Sequence, residues 1–171
     1  FQSLLIGSDA VAGLIAHMAR QDGEPLTRRA LIRLLSQVRD EVKLMEENLP
    51  VGAPRGLTTP SVSTQLRLIV PLIVGVNSAV EIAKRLGTSS FVLESVPFAI
   101  TTFLRHPTDF RAALKEAVEA GGDTDTNAAI VGSLVGANVG IQGIPEGWRG
   151  FRPDFTQALE LGALLYQASS S

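Results

Sequence analysis

Apolar residues recur at helical spacing along most of the chain. The clearest example is a helix beginning at Thr27, in which the apolar positions share one face and most charged residues lie elsewhere. No segment sustains the alternation of period two that a half-buried strand requires. The pattern therefore predicts an almost entirely helical protein. The apolar face of this helix consists of Leu31, Leu34, Leu35, Val38, Val42 and Met45.

Further helices are predicted between Gly and Pro breaks. Ser8 or Asp9 is the expected N-cap of the first helix, Gly87 a C-terminal stop, and His106 a cap residue. A segment rich in Pro and Gly, residues 48–64, predicts one long loop that either lines a functional site or simply crosses the surface. The predicted helices span residues 9–20, 95–104, 110–120 and 155–167.

Two apolar stretches, residues 65–86 and 128–144, raise the question of a membrane span. Polar residues and glycines interrupt both before they reach the roughly 20 apolar residues that a bilayer requires. We therefore expect buried helices and no membrane, with the first stretch kinked or split at Pro71 or Gly75.

Small residues recur along the second stretch. Gly132, Gly136 and Gly140 lie four apart, so they would share one face of a helix. A neighbouring helix could then approach closely, and we expect this packing to hold Asp123 and Asp125 deep in the bundle.

Composition limits the function classes. A chain of 171 residues fits one domain, and a net charge of −2 makes nucleic acid an unsuitable partner. The absence of cysteine excludes disulfides and thiolate metal sites. The chain begins at Phe1 without a signal-peptide pattern, so we expect a cytoplasmic protein of which this is a portion.

The candidate chemistry lies in the segment Gly-Gly-Asp-Thr-Asp-Thr-Asn, residues 121–127. Gly121 is placed to end the preceding helix in a left-handed conformation, and Asp123 to open the next one. Acidic and hydroxyl side chains at a helix start can cap it, but one cap needs only one such residue. An oxygen-rich turn also suits Mg²⁺ or Ca²⁺, so capping and metal binding both remain open at this point.

Two short metal motifs fit this segment poorly. An EF-hand loop would require glycine at Ala128 and a bidentate glutamate at Leu134. An Asp-x-Asp motif of the nucleotide-sugar transferase kind normally follows a strand, whereas a helix is predicted before Asp123.

A longer pattern gives a more specific interpretation. The run Gly-Gly-Asp-Thr-Asp-Thr-Asn-Ala-Ala-Ile, followed by Gly-Ser-Leu-Val-Gly-Ala and then Gly140, Ile144-Pro145 and Trp148, resembles the C-terminal signature of the ADP-ribosylglycohydrolase family. The upstream segment Gly-Thr-Ser-Ser-Phe-Val-Leu-Glu-Ser-Val-Pro-Phe-Ala, residues 87–99, is similar to the one these enzymes carry before it.

The resemblance implies an all-α, orthogonal helical bundle, with residues 1–171 forming the C-terminal portion of the domain and the N-terminal part missing. It implies hydrolysis of the glycosidic bond of ADP-ribosylated substrates with two metal ions, Mg²⁺ or Mn²⁺. Asp123, Asp125 and Thr126 would be metal ligands, the two aspartates being the catalytic candidates and better assigned as ligands than as the base. Gly121, Gly122 and Phe91 would contact ADP-ribose, the alternative for Phe91 being a core residue.

The family's Thr-Asp-Asp motif, which completes the metal site, does not occur in this sequence. We therefore expect the missing N-terminal portion to be a partner of this chain, which alone should bind metal weakly. The alternative is a catalytically inactive helical module that keeps the scaffold.

Overall fold

The computed structural model describes residues 2–20, 24–48, 61–75, 78–149 and 155–169, and every regular element in these ranges is helical. The predicted all-α fold class is therefore confirmed. Within the same ranges, no helix combines the length and apolarity needed to cross a bilayer. The helices are α1 (Gln2–Ala19), α2 (Arg28–Asn48), α3 (Val62–Leu66), α4 (Ile69–Gly75), α5 (Ala79–Leu86), α6 (Val92–Arg105), α7 (Phe110–Glu119), α8 (Thr124–Gly143) and α9 (Phe155–Ser169), with a 3-10 turn at Glu146–Trp148.

Helix α6 is the centre of the molecule. All of its residues except Glu94 and Arg105 are buried, and it packs against α1, α2, α4, α5, α7 and α8. Phe98 and Phe103 are fully buried there. Because α6 contributes to both hydrophobic clusters of the fold, it fixes the position of the segment that precedes it, residues 87–91.

Helix α1 begins earlier than predicted. Ser8 and Asp9 lie inside it, so their assignment as the N-cap is wrong. The Ser8 hydroxyl donates to the carbonyl oxygens of Leu4 (3.0 Å) and Leu5 (2.8 Å), a bond pattern available inside a helix. The apolar residues before Ser8 thus extend the helix by two turns.

The segment before α5 divides into shorter helices than predicted. The proposed loop lies mostly outside the described residues, but its end is wrong because Ser61 caps α3, accepting a bond from the Thr64 N–H at 3.2 Å. Helix α4 ends at Gly75, as predicted. Pro71 causes no break because it occupies the first turn of α4, where a missing N–H group costs little.

Helices α6 and α7 are joined by an ion-pair cluster around Glu116. Its carboxylate accepts from Arg105 Nε and from His106 Nε2, both at 2.8 Å, and the Glu116 side chain is only 10 % exposed. His106 is the C-cap residue of α6, as predicted. The cluster attaches the second half of α7 to the end of the central helix.

Candidate metal and substrate site

The turn between α7 and α8 carries the candidate carboxylates. Gly121 and Gly122 both have left-handed φ angles, 77° and 76°, and Asp123 is the N-cap residue of α8. The predicted end of α7 and start of α8 are therefore confirmed. Two consecutive left-handed residues reverse the chain within three positions, which only glycine permits at low cost.

Gly122 also brings this turn against the segment before α6. A Cβ atom at Gly122 would overlap the Thr88 hydroxyl and lie 2.5 Å from the Thr88 carbonyl oxygen. The Asp123 N–H donates to that same carbonyl at 2.8 Å. The turn and the segment at residues 87–91 are therefore in direct backbone contact.

The Asp123 side chain does not cap α8. Although Asp123 occupies the N-cap position, its carboxylate accepts no bond from the first-turn N–H groups. Asp109, at the equivalent position of α7, does accept one, from the Ala112 N–H at 2.9 Å. Capping therefore explains Asp109 and leaves the Asp123 carboxylate available for another partner.

The Asp125 carboxylate is exposed and its pKa is lowered from the ordinary value. The main cause is a hydrogen bond with the Asp123 side chain, followed by bonds from the backbone N–H groups of Asp125 and Thr126. Two neighbouring carboxylates at a helix start are oxygen ligands of the kind that a hard cation accepts.

We expect the metal-free protein to keep Asp125 ionised below the ordinary pKa of 3.8. Because folding lowers the Asp125 pKa, ionised Asp125 stabilises the folded protein at pH values above 3.8. This contribution is lost as the pH falls through the pKa of the folded state. Carboxyl ¹³C NMR titration should place the Asp125 midpoint below that of a free aspartate. Asp123→Ala should raise the Asp125 pKa because it removes the side chain that contributes most to the lowering, whereas Asp123→Asn supplies an amide donor and should leave it low. An unchanged midpoint in Asp123→Ala would contradict this assignment.

The expectation that packing holds both aspartates deep in the bundle is wrong. Asp123 is half-buried and Asp125 is exposed. The small-residue face of α8 does pack closely against α7. A Cβ atom added at Gly132 would lie 3.5 Å from Leu114, and one added at Gly136 would lie 3.7 Å from Phe110. Those contacts involve the first half of α7, so the connecting turn lies at the end of the hairpin and remains near solvent.

Gly140 does not extend this small-residue face. Its φ and ψ angles are 63° and −174°, which interrupts α8 with a kink. The small-residue face of α8 therefore includes Gly132 and Gly136 but not Gly140, contrary to the prediction from spacing.

Phe91 precedes α6 and is 54 % exposed, which excludes its interpretation as a core residue. Its N–H donates to the Ser89 hydroxyl at 3.3 Å, and the Ser89 N–H and hydroxyl both donate to Glu94 at 3.1 and 2.7 Å. An exposed aromatic ring on a hydrogen-bonded segment is available to a ligand.

Thr126 and Ser90 both line an apolar groove of about 350 Å³ between α1, α6 and α8. Thr126 is half-buried there, while Asp125 is exposed. The two parts of the predicted site are neighbours. Other groove residues include Leu4, Val11, Ile15, Val92 and Ile130.

The donor set fits a hard cation only in part. Asp123, Asp125 and Thr126 offer carboxylate and hydroxyl oxygens, the ligand type that Mg²⁺ and Mn²⁺ accept. Across the described ranges, however, no three His, Cys, Asp or Glu side chains cluster in a way that could hold a metal ion. These three side chains could supply at most part of a coordination shell.

Sequence reasoning assigned no role to Thr88, Glu94 or Asn127. Thr88 contributes a backbone carbonyl, which no motif reveals, and Glu94 orders Ser89. Asn127 could have been found from its spacing, because a residue four positions after Asp123 lies one turn further along the same helix face.

These observations define a helical protein whose paired carboxylates open a helix beside an exposed aromatic. The sequence pattern of the family described as ADP-ribosylglycohydrolase matches residues 2–171. The chain belongs to the ADP-ribosylglycohydrolase family.

Individual relatives agree with this assignment. The chain is 30 % identical over 147 residues to the ADP-ribosylhydrolase ARH3 of Bos taurus, an alignment covering 80 % of this chain and 40 % of that protein. It is 25 % identical over 175 residues to ARH3 of Danio rerio, covering 96 % and 47 %. A 61-residue segment is 33 % identical to the ADP-ribosyl-[dinitrogen reductase] glycohydrolase of Rhodospirillum rubrum, covering 36 % and 20 %. The chain spans less than half the length of the relatives it matches.

Proposed function

We propose that this chain is the metal-binding portion of an ADP-ribosylglycohydrolase, which hydrolyses the glycosidic bond of an ADP-ribosylated substrate. Family membership and the names of the relatives support the reaction class. The observation that carries the proposal is the Asp123 carboxylate, which occupies the N-cap position of α8 without capping the helix and lowers the pKa of the neighbouring Asp125.

In the proposed site, Asp123, Asp125 and Thr126 would hold one side of a pair of Mg²⁺ or Mn²⁺ ions. When bound, such cations would orient and polarise the ribose hydroxyl groups next to the scissile bond. Phe91 would lie against the sugar, and the backbone at Gly121 and Gly122 would adjoin it. Hydrolysis replaces the bond between the anomeric carbon and the leaving group by a bond to a water oxygen, and the leaving group receives a proton. We assign no general base within this chain.

The incomplete donor set has a direct implication. Because Mg²⁺ requires near-octahedral oxygen coordination, three side chains leave much of the shell to other groups. We propose that a segment outside residues 1–171 supplies them, a view supported by the greater length of the relatives. The whole domain would then comprise this chain as its C-terminal portion.

Comparison of the 171-residue chain with the full-length protein tests the proposal. We expect metal-dependent release of ADP-ribose from the full-length protein, and only weak Mn²⁺ binding without turnover from the chain alone. Calorimetric titration with Mn²⁺ and a chromatographic assay for ADP-ribose measure the two properties, with chelator as the control.

A second function is an inactive helical module, favoured by the lack of a three-group metal cluster in the ranges the structure describes. A full-length protein that binds ADP-ribose but releases none at any Mg²⁺ or Mn²⁺ concentration would support this alternative. Two tight metal equivalents on the chain alone would instead show that no outside segment is needed.

A further inference from the structure

Asn127 is a fully buried polar residue one turn into α8, with 0 % of its surface exposed. Its side-chain Nδ2 donates to the Thr88 carbonyl oxygen at 2.9 Å. Its backbone N–H donates to the Asp123 carbonyl at 3.0 Å. Asn127 therefore contacts both the turn that carries the carboxylates and the segment that carries Phe91.

The Thr88 carbonyl oxygen is the meeting point of these contacts. It accepts the Asp123 N–H at 2.8 Å in addition to the Asn127 amide. In the described part of the chain, the hydrogen bonds that join the two segments converge on this one oxygen. One acceptor held by two donors thus connects the segment that carries Phe91 to the turn that carries Asp123.

Each segment is also anchored on its own side. Glu94 binds Ser89 by two hydrogen bonds, which fixes the Phe91 segment to α6. Gly122 allows the turn to touch Thr88, where any larger residue would overlap it. Removing the Asn127 donor would therefore loosen the connection between the segments without dissolving either of them.

We propose that Asn127 is a positioning residue, which sets the placement of the substrate-contacting Phe91 segment relative to the metal-binding turn. The role in catalysis rests on the proposed function, whereas the coupling of the segments stands on the contacts alone. Loss of the bond to Thr88 would leave the buried Asn127 Nδ2 group without a partner, which is costly, so the contact resists displacement.

Asn138 provides a matched control on the same helix. It is also buried, at 8 % exposure. Its Oδ1 accepts from the Leu26 N–H at 2.9 Å, and its Nδ2 donates to the Pro107 carbonyl oxygen at 2.9 Å. These bonds attach α8 to segments other than residues 87–91. Asn138→Ala should therefore lower stability as Asn127→Ala does, without altering the site.

The first experiment measures amide hydrogen exchange by NMR in the 171-residue chain. Asn127→Ala should speed exchange of the Asp123 N–H by about tenfold relative to the body of α8, the effect of losing one hydrogen bond. Asn127→Ser is the second variant, for use if Asn127→Ala does not fold, because serine leaves a smaller cavity. Its side chain is too short to bond Thr88, so it should also speed exchange of the Asp123 N–H. Asn138→Ala should leave the Asp123 rate unchanged relative to α8. An unchanged Asp123 rate in Asn127→Ser would overturn the coupling.

The second experiment measures kinetics in the full-length protein. Asn127→Ser should raise KM for the ADP-ribosylated substrate about fivefold, because Phe91 is displaced from the metal-binding turn. A purely structural defect lowers the folded fraction, which reduces apparent kcat and leaves KM unchanged. An equal rise in KM for Asn138→Ala, or none for Asn127→Ser, would overturn the positioning role. If the wild-type protein releases no ADP-ribose, the proposed function fails while the exchange experiment still decides the coupling.

Discussion

Replacement of Asp125 or Asp123 by alanine should abolish metal-dependent ADP-ribose release by the full-length protein, reducing turnover by roughly a thousandfold or more. Both carboxylates would be metal ligands, and a water molecule that replaced either one would lack the negative charge that holds the cation. Stability should change little, because Asp125 is exposed and the Asp123 carboxylate makes no cap bond. Turnover over a range of Mg²⁺ and Mn²⁺ concentrations measures the effect.

Asp109→Ala is the matched control for this prediction. Asp109 occupies the same N-cap position one helix earlier and does cap it. Its replacement should cost about 1 kcal/mol of stability while leaving turnover of the folded protein intact. Normal metal-dependent release by Asp125→Ala would rule out the ligand assignment.

Phe103→Ala should cost about 3–5 kcal/mol of unfolding free energy, because the side chain is fully buried in the central helix and its removal leaves a cavity. Such a loss is a large fraction of the roughly 5–15 kcal/mol that stabilises a typical domain. Urea unfolding can be followed by Trp148, the single tryptophan, whose ring contacts Phe110 edge-on at 6.2 Å.

Phe91→Ala is the control, since it removes the same side chain from a position that is 54 % exposed. We expect a stability change of about 0.5 kcal/mol or less at that position. If the two substitutions destabilise the protein equally, the assignment of Phe91 to the surface and of Phe103 to the core is wrong.

The helices were largely predictable because their apolar periodicity and their Gly stops act locally. The C-terminal stop at Gly87 and the reversal at Gly121 needed no knowledge of distant contacts. The start of α1 was not predictable in the same way. A serine such as Ser8 can cap a helix or can bond to a carbonyl inside one, and the apolar residues before it decide which occurs.

The candidate carboxylates were predictable, but their surroundings were not. Asp123 and Asp125 belong to a long motif within one segment. The acceptor that fixes them is a backbone carbonyl at Thr88, thirty-nine positions before Asn127, and a carbonyl leaves no mark on sequence. The burial of the two aspartates depends on which half of α7 packs against Gly132. This is a tertiary contact, which the sequence pattern does not reveal.

The order of the helices along the chain also bears on how the site forms during folding. Helices α7 and α8 are joined by a short turn, so their contacts are local in sequence and form rapidly, whereas the contact with Thr88 closes a longer loop. The carboxylate turn should therefore take shape in an early hairpin nucleus, and its junction with residues 87–91 should follow. Because α1, α6 and α7 all precede α8, ribosomal synthesis makes every one of these packing partners before the last helix of the site emerges.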